Sequence, residues 1–184
     1  MAVEFVGWPK TPRLFRDCTI TEKIDGTNAA VIVTEDMEVA AQSRKRLITP
    51  ADDNFGFAQW VAHNAEELAA LLGPGRHFGE WWGSGIQRGY GLGKGERRLS
   101  LFNVTRYAGL DTSSVPGLGL VPVLYEGPFT TEAVKDTLAA LAASGSWASP
   151  GFPNPEGIIV YHSAASTVFK VTVEGDESPK GAAA

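Results

Sequence analysis

The chain has 184 residues, 43% of them hydrophobic and 20% charged, with a formal net charge of −5 and a pI near 5.2. That is ordinary globular composition, long enough for one domain whose core needs no disulfide or structural metal. The acidic balance excludes a general nucleic-acid coat. The single cysteine, Cys18, excludes an intrachain disulfide, and with only three scattered histidines (His63, His77, His162) a zinc site is excluded too.

The opening "MAVEFVGWPKTPR" lacks the charged-then-apolar pattern of a signal peptide, and no run reaches the ~18 apolar residues of a membrane span. A reducing, cytoplasmic setting is the expectation, with Cys18 a small core residue. Three short basic runs, "PKTPRLFR", "SRKRL" and "GKGERR", read by themselves as solvated faces.

Along the chain, runs rich in Val, Ile, Thr and aromatics alternate with turn residues. "CTITEKI", "NAAVIVTE" and "EVAAQS" predict three strands in the first quarter. A helix is predicted from Phe55 to Leu72, where Phe57, Trp60, Val61, Leu68, Leu71 and Leu72 mostly recur at three- and four-residue spacing. Gly73–Pro74–Gly75 ends it, and Asp53 and Asn54 ahead of it read as its N-cap. "RHFGEWW", "LSLFNVTRY" and "LVPVLYE" predict further strands. A second helix is predicted over Thr131–Ser144, with Thr130 or Thr131 as N-cap and Gly145 as stop. "EGIIVYHS" and "STVFKVTV" close the series, and the end of the chain reads as a loose tail from about residue 178. Strands with inserted helices and no βαβ alternation predict an α+β fold with largely antiparallel sheets in a single domain. The glycine-rich "GSGIQRGYGLGKG" lacks the GxxxxGK[ST] pattern of a phosphate-binding loop and opens no helix, so that reading is rejected.

"TEKIDGTN" (Thr21–Asn28) carries the most chemistry. Period-two alternation puts Lys23 and Asp25 on one side of the strand end, and Gly26 permits a tight turn or a close approach. The plain alternative is a surface ion pair in an Asp-Gly hairpin.

"KIDGTN" resembles the nucleotidyl-acceptor motif of the covalent nucleotidyltransferases: ATP-dependent DNA and RNA ligases and capping enzymes. Its Thr-Asn ending is similar to the RNA ligases in particular. Further segments resemble the remaining family motifs in order: "SRKR" (Ser43–Arg46), "FGEWWG" (Phe78–Gly83), "SLFNV" (Ser100–Val104), "EGIIVY" (Glu156–Tyr161) and "VFKVT" (Val168–Thr172). The longer strings "GEWWGSGIQRGYG" and "FKVTVEGDESPKG" are similar to small phage-type members.

The resemblance implies an ATP-grasp-like ligase adenylation domain, its sheets forming a nucleotide cleft, that joins RNA 5′-phosphate and 3′-hydroxyl ends. Lys23, Asp25 and Lys170 form the implied catalytic set, with Lys23 taking AMP from ATP. Ile24 offers its backbone to adenine, Phe102 stacks on the base and Glu80 binds the ribose. Arg44 holds a phosphate (Arg46 being a rival), Asn28 contacts the strand to be joined, and Glu156 holds Mg²⁺ or Mn²⁺. An ordinary lysine at pKa ~10.4 is neutral only about one time in a few thousand at pH 7, so neighbouring cations, Lys170 first, are expected beside Lys23.

The chain departs from the pattern in two ways. Thr172 stands where ligases commonly carry a second lysine, with Lys180 as a substitute in the tail. A bare domain with no OB-fold or other appended domain is the expectation, one that would seal nicked RNA weakly or rely on a partner protein for substrate binding. The alternatives are a capping-type guanylyltransferase and a catalytically weak nucleotide- or RNA-binding module of the same fold.

Overall fold

Two β-sheets, each backed by helix on one face, meet at a seam that runs through "KIDG". The structure, a computed structural model, describes residues 3–175. The four-stranded sheet has the order β10-β9-β1-β8, formed by Thr167–Thr172, Gly157–His162, Asp17–Lys23 and Val123–Pro128, all antiparallel. The six-stranded sheet has the order β4-β3-β2-β5-β6-β7, formed by Leu47–Ile48, Val39–Ser43, Thr27–Val33, Gly75–Gly83, Arg97–Leu101 and Leu118–Leu120. Only β6–β7 in it is parallel. The result is the α+β fold with largely antiparallel sheets.

Asp25–Gly26 is not a hairpin turn. β1 and β2 belong to different sheets, and residues 24–26 carry the chain from one to the other. The dipeptide pattern is the same as that of a hairpin, but the apolar faces of the two strands are covered by different helices. Gly26 is required here by close approach: a Cβ on it would lie 2.5 Å from the Trp81 carbonyl oxygen and 2.8 Å from Trp82 Cβ.

Each sheet buries the face its alternation dictates. On the six-stranded sheet Val31, Trp81, Leu99 and Leu101 pack with Phe57, Val61 and Leu68 of the helices. On the four-stranded sheet Cys18, Ile20, Ile158 and Val160 pack against Leu141 of α3 (Thr131–Ser144). A third cluster, Ile24, Trp82, Tyr90 and Val121, fills the seam. Each of these large apolar side chains contributes roughly 1.5–3 kcal/mol by leaving water.

The predicted helix Phe55–Leu72 is two helices, α1 (Phe57–His63) and α2 (Ala65–Leu72). It starts late because Phe55 and Gly56 are left-handed, at φ 51° and 74°. It breaks at Asn64, whose side-chain amide donates to the Trp60 carbonyl at 2.7 Å in competition with the helix ladder. The N-cap is Gly56 rather than the expected Asp53 or Asn54, and the Asp53 carboxylate reaches the first turn from three residues upstream, accepting from Ala58 N at 2.8 Å and Gln59 N at 3.1 Å. α3 has the predicted limits, with Thr130 Oγ1 accepting from Ala133 N and Gly145 at the C-cap. "LSLFNVTRY" yields a strand only to Leu101 before the chain turns, and "LVPVLYE" is divided between β7 and β8 by Val121–Pro122. Among the described residues no helix is long and apolar enough to cross a membrane. The predicted tail from about residue 178, including Lys180, lies outside the described residues.

Candidate active site

The site forms where the carboxyl end of β1 crosses to the six-stranded sheet. Lys23 ends β1, directly opposite Gly157 of β9, which in turn faces Thr172 of β10. Lys23 Nζ donates to Glu156 Oε2 at 2.5 Å, with the two side chains 23% and 18% exposed. A carboxylate therefore touches the amine. Lys170 lies on the same face of β10, one side-chain row away beside Ile159 and Thr21, and its side chain is exposed. Gly157 keeps the row low, since a Cβ there would meet the Val171 carbonyl oxygen at 2.2 Å.

Across the seam, Asn28 of β2, Glu80 of β5 and Ser100 of β6 stand in one row. Glu80 is 9% exposed; its Oε1 accepts from Gly26 N at 3.1 Å and its Oε2 from Asn28 Nδ2 at 3.1 Å. Burial pushes its pKa up from 4.5 to about 7. Lys23 and the Gly26 N–H oppose that rise, while Glu156 and Asp25 add to it. These carboxylates and Lys23 thus share one electrostatic field. The partner expected for a buried Glu80 is in place without an arginine.

Asp25 does not pair with Lys23. Its Oδ2 accepts from Arg88 Nε at 3.1 Å, and its backbone N–H donates to the Tyr90 hydroxyl at 2.9 Å. Ile24 buries its side chain in the seam cluster, which places its main chain immediately after Lys23. Phe102, just past β6, is 40% exposed, beside Phe78 at 51%. Two half-exposed aromatics on adjoining strands offer a flat apolar surface on which a base can stack.

The two arginines of "SRKR" separate clearly. Arg46 is bound to the carboxylate of Asp52. Arg44 is exposed in the β3–β4 turn with no side-chain partner among the described residues, and so is available to an incoming anion. No three His, Cys, Asp or Glu side chains converge on a metal position among the described residues.

The RNA ligase family profile matches residues 16–172, most of the chain. The chain belongs to the RNA ligase family. This family member resembles the solved structures of Naegleria gruberi RNA ligase. With pyrophosphate the TM-score is 0.63 at 18% identity, covering 86% of this chain and 50% of that one. A mutant with AMP and Mn gives 0.62 at 18% identity with the same coverage, and another with ATP and Mn gives 0.62 over 85% and 49%. The likeness shows a shared nucleotidyltransferase fold, and the RNA ligase family member spans about half the length of that protein. No curated protein matches it.

Lys23, Glu156, Glu80, Asn28 and Asp25 all gather at the seam. Phe102 and Lys170 line the two sheets beside it, and Arg44 stands further out in its turn. Three residues at the seam escaped the sequence reading. Glu22, 1% exposed, accepts from Ser146 Oγ (2.6 Å), Trp147 N (2.8 Å) and Ala148 N (2.9 Å). Its signal was available, as a charge in the otherwise apolar row Cys18–Ile20–Glu22. Arg88 and Tyr90 had no such signal, because their partners are remote in sequence.

Proposed function

We propose that the chain is an ATP-dependent RNA ligase whose Lys23 carries AMP between ATP and an RNA end. The observation that supports this most directly is the meeting of Lys23 and Glu156 on one sheet with Glu80 and Asn28 on the other, the two halves of a nucleotide site. The family membership and the fold shared with a nucleotide-bound RNA ligase support the same reading.

In the first step the Lys23 amine attacks the α-phosphorus of ATP. A P–N bond forms, the bond to pyrophosphate breaks, and Lys170 on the same sheet face offsets charge on the departing phosphates. Glu80 holds the ribose, Phe102 stacks on adenine and the main chain of Ile24 meets its edge. A 5′-phosphate oxygen then displaces Lys23 from AMP, with Arg44 and Asn28 holding the RNA end. Finally a 3′-hydroxyl attacks that phosphate and AMP leaves.

The donor set suits a hard cation: Glu156 supplies a carboxylate, and Mg²⁺ or Mn²⁺ usually completes its shell with water and substrate phosphates rather than a protein cage. When bound it neutralises phosphate charge. Incubation with α-labelled ATP and Mg²⁺ tests the reading. The wild type gains covalent AMP and Lys23→Ala does not, whereas a wild type whose intact mass is unchanged overturns it.

A further inference from the structure

The glycine-rich loop between β5 and β6 has no part in the chemistry above, yet it is tightly built. Gln87 and Tyr90 sit at φ 45° and 51°, a strained state for residues with side chains that persists only where the surroundings over-determine it. Tyr90 is fully buried. Its hydroxyl accepts from Asp25 N at 2.9 Å and its carbonyl from Ser149 Oγ at 2.7 Å.

Arg88 stands between these two residues. Its Nε donates to Asp25 Oδ2 at 3.1 Å, one terminal nitrogen to the Asn154 carbonyl at 3.3 Å, and the other to Glu174 Oε1 at 3.1 Å. Asp25 follows Lys23 by two residues, Asn154 precedes Glu156 by two, and Glu174 follows Thr172 by two. One guanidinium from the β5–β6 loop thus grips the segments flanking β1, β9 and β10, the adjacent strands that carry or adjoin Lys23, Glu156 and Lys170.

We infer that Arg88 is a positioning residue for nucleotidyl transfer, clasping these three segments so that the amine, the carboxylate and the second lysine meet the same phosphates. The inference rests on the proposed ligase reading. A planar fork of donors that is always charged can satisfy three acceptors in three directions, which an ammonium on a flexible stem cannot do in one geometry. The clasp also commits the Asp25 carboxylate, leaving Glu156 as the partner of Lys23. Because Glu80 and Phe102 belong to the other sheet, loosening the clasp disturbs the phosphate end of the site and spares the nucleoside end.

The test is single-turnover adenylylation of the full chain over a range of ATP concentrations. Arg88→Ala is expected to lower the maximal rate about 100-fold, the usual consequence of a misplacement near 1 Å. KM for ATP should stay within about threefold, since ground-state binding is retained. Arg88→Lys should recover part of the rate. Arg88 lines an open cavity of about 630 Å³ with Phe152, Pro155 and Glu174, so added guanidinium ion should rescue Arg88→Ala and leave the wild type unchanged.

An undiminished rate in Arg88→Ala overturns the clasp, as does a loss expressed wholly in KM without rescue. If Arg88→Ala does not fold, Arg88→Lys decides: a reduced maximal rate at unchanged KM supports the clasp, and a wild-type rate overturns it. A wild type that takes no AMP overturns the ligase reading and the clasp together. A labelled wild type beside an indifferent Arg88 variant overturns the clasp alone.

Discussion

Lys23 and Glu156, 133 residues apart in the chain, are joined by a 2.5 Å ion pair where β1 meets the start of β9. The carboxylate holds the amine at the seam, and the nitrogen must both leave it and give up a proton before its lone pair can attack phosphorus. Glu156 would hold the divalent cation that neutralises the phosphates, and a carboxylate so engaged would no longer pair with Lys23, which would couple nucleotide binding to release of the nucleophile. Glu156→Gln should therefore still bind ATP while forming the AMP adduct at least about 100-fold more slowly, the scale of losing a positioned catalytic group. Thermal-shift titration with ATP and intact mass over time report the two properties separately.

Glu80 links stability to pH. Its folded pKa near 7 lies above its ordinary 4.5, so between those values the native state binds more protons than the unfolded chain. Stability is then greatest below about pH 4.5 as far as this group is concerned, falls as pH rises to 7, and is flat above; the loss amounts to up to about 3 kcal/mol. Glu80→Gln should remove that slope in a series of Tm values against pH. An identical slope in the variant would assign it to other groups.

Glu80 and Phe102 should govern nucleotide choice and affinity. Replacing Phe102 with Ala is expected to weaken ATP binding by about 1–3 kcal/mol, the scale of base stacking on an aromatic. The fold should tolerate the change, because the ring is 40% exposed. Wild type should prefer ATP to 2′-deoxy-ATP, and Glu80→Ala should erase that preference. Competition binding with the two nucleotides measures both effects.

Glu22 should be essential to the fold rather than to the chemistry. Removing its carboxylate leaves Ser146 Oγ, Trp147 N and Ala148 N without their acceptor. With about 1–3 kcal/mol lost per buried unpaired group, Glu22→Ala should lower stability by several kcal/mol in urea denaturation. A change below about 1 kcal/mol, the range of neutral surface substitutions, would contradict the burial argument.

Gly26→Ala should damage both stability and activity. The new methyl would press on the Trp81 carbonyl and Trp82, displacing the Gly26 N–H from Glu80 at a cost of about 1–3 kcal/mol for overpacking. Denaturation and adenylylation assays on the same preparation should both register the change.

Much of this was legible in the residues themselves. Strand alternation and helix caps are local, so β1, β2, β9, β10 and α3 could be read within a residue or two. Lys23, Glu80 and Glu156 stood out through the motifs around them. The break at Asn64 was missed because the apolar stripe continues across it, while the competing hydrogen bond comes from one side chain. Asp25–Gly26 was open to reading as a hairpin turn because the dipeptide is the same whether the chain turns back or crosses over.

What the sequence by itself determined is which residues carry charge, which alternate inward and which motif they form, since all of these depend on near neighbours. Only the tertiary structure decided that Lys23 rests on a carboxylate, that Arg46 is occupied while Arg44 is open, and that Arg88 grips three strand-flanking segments. Electrostatic and hydrogen-bond partners are selected by distance in space. In this fold, contacts such as Lys23–Glu156 and Arg88–Glu174 join segments 133 and 86 residues apart, far beyond the reach of any local pattern.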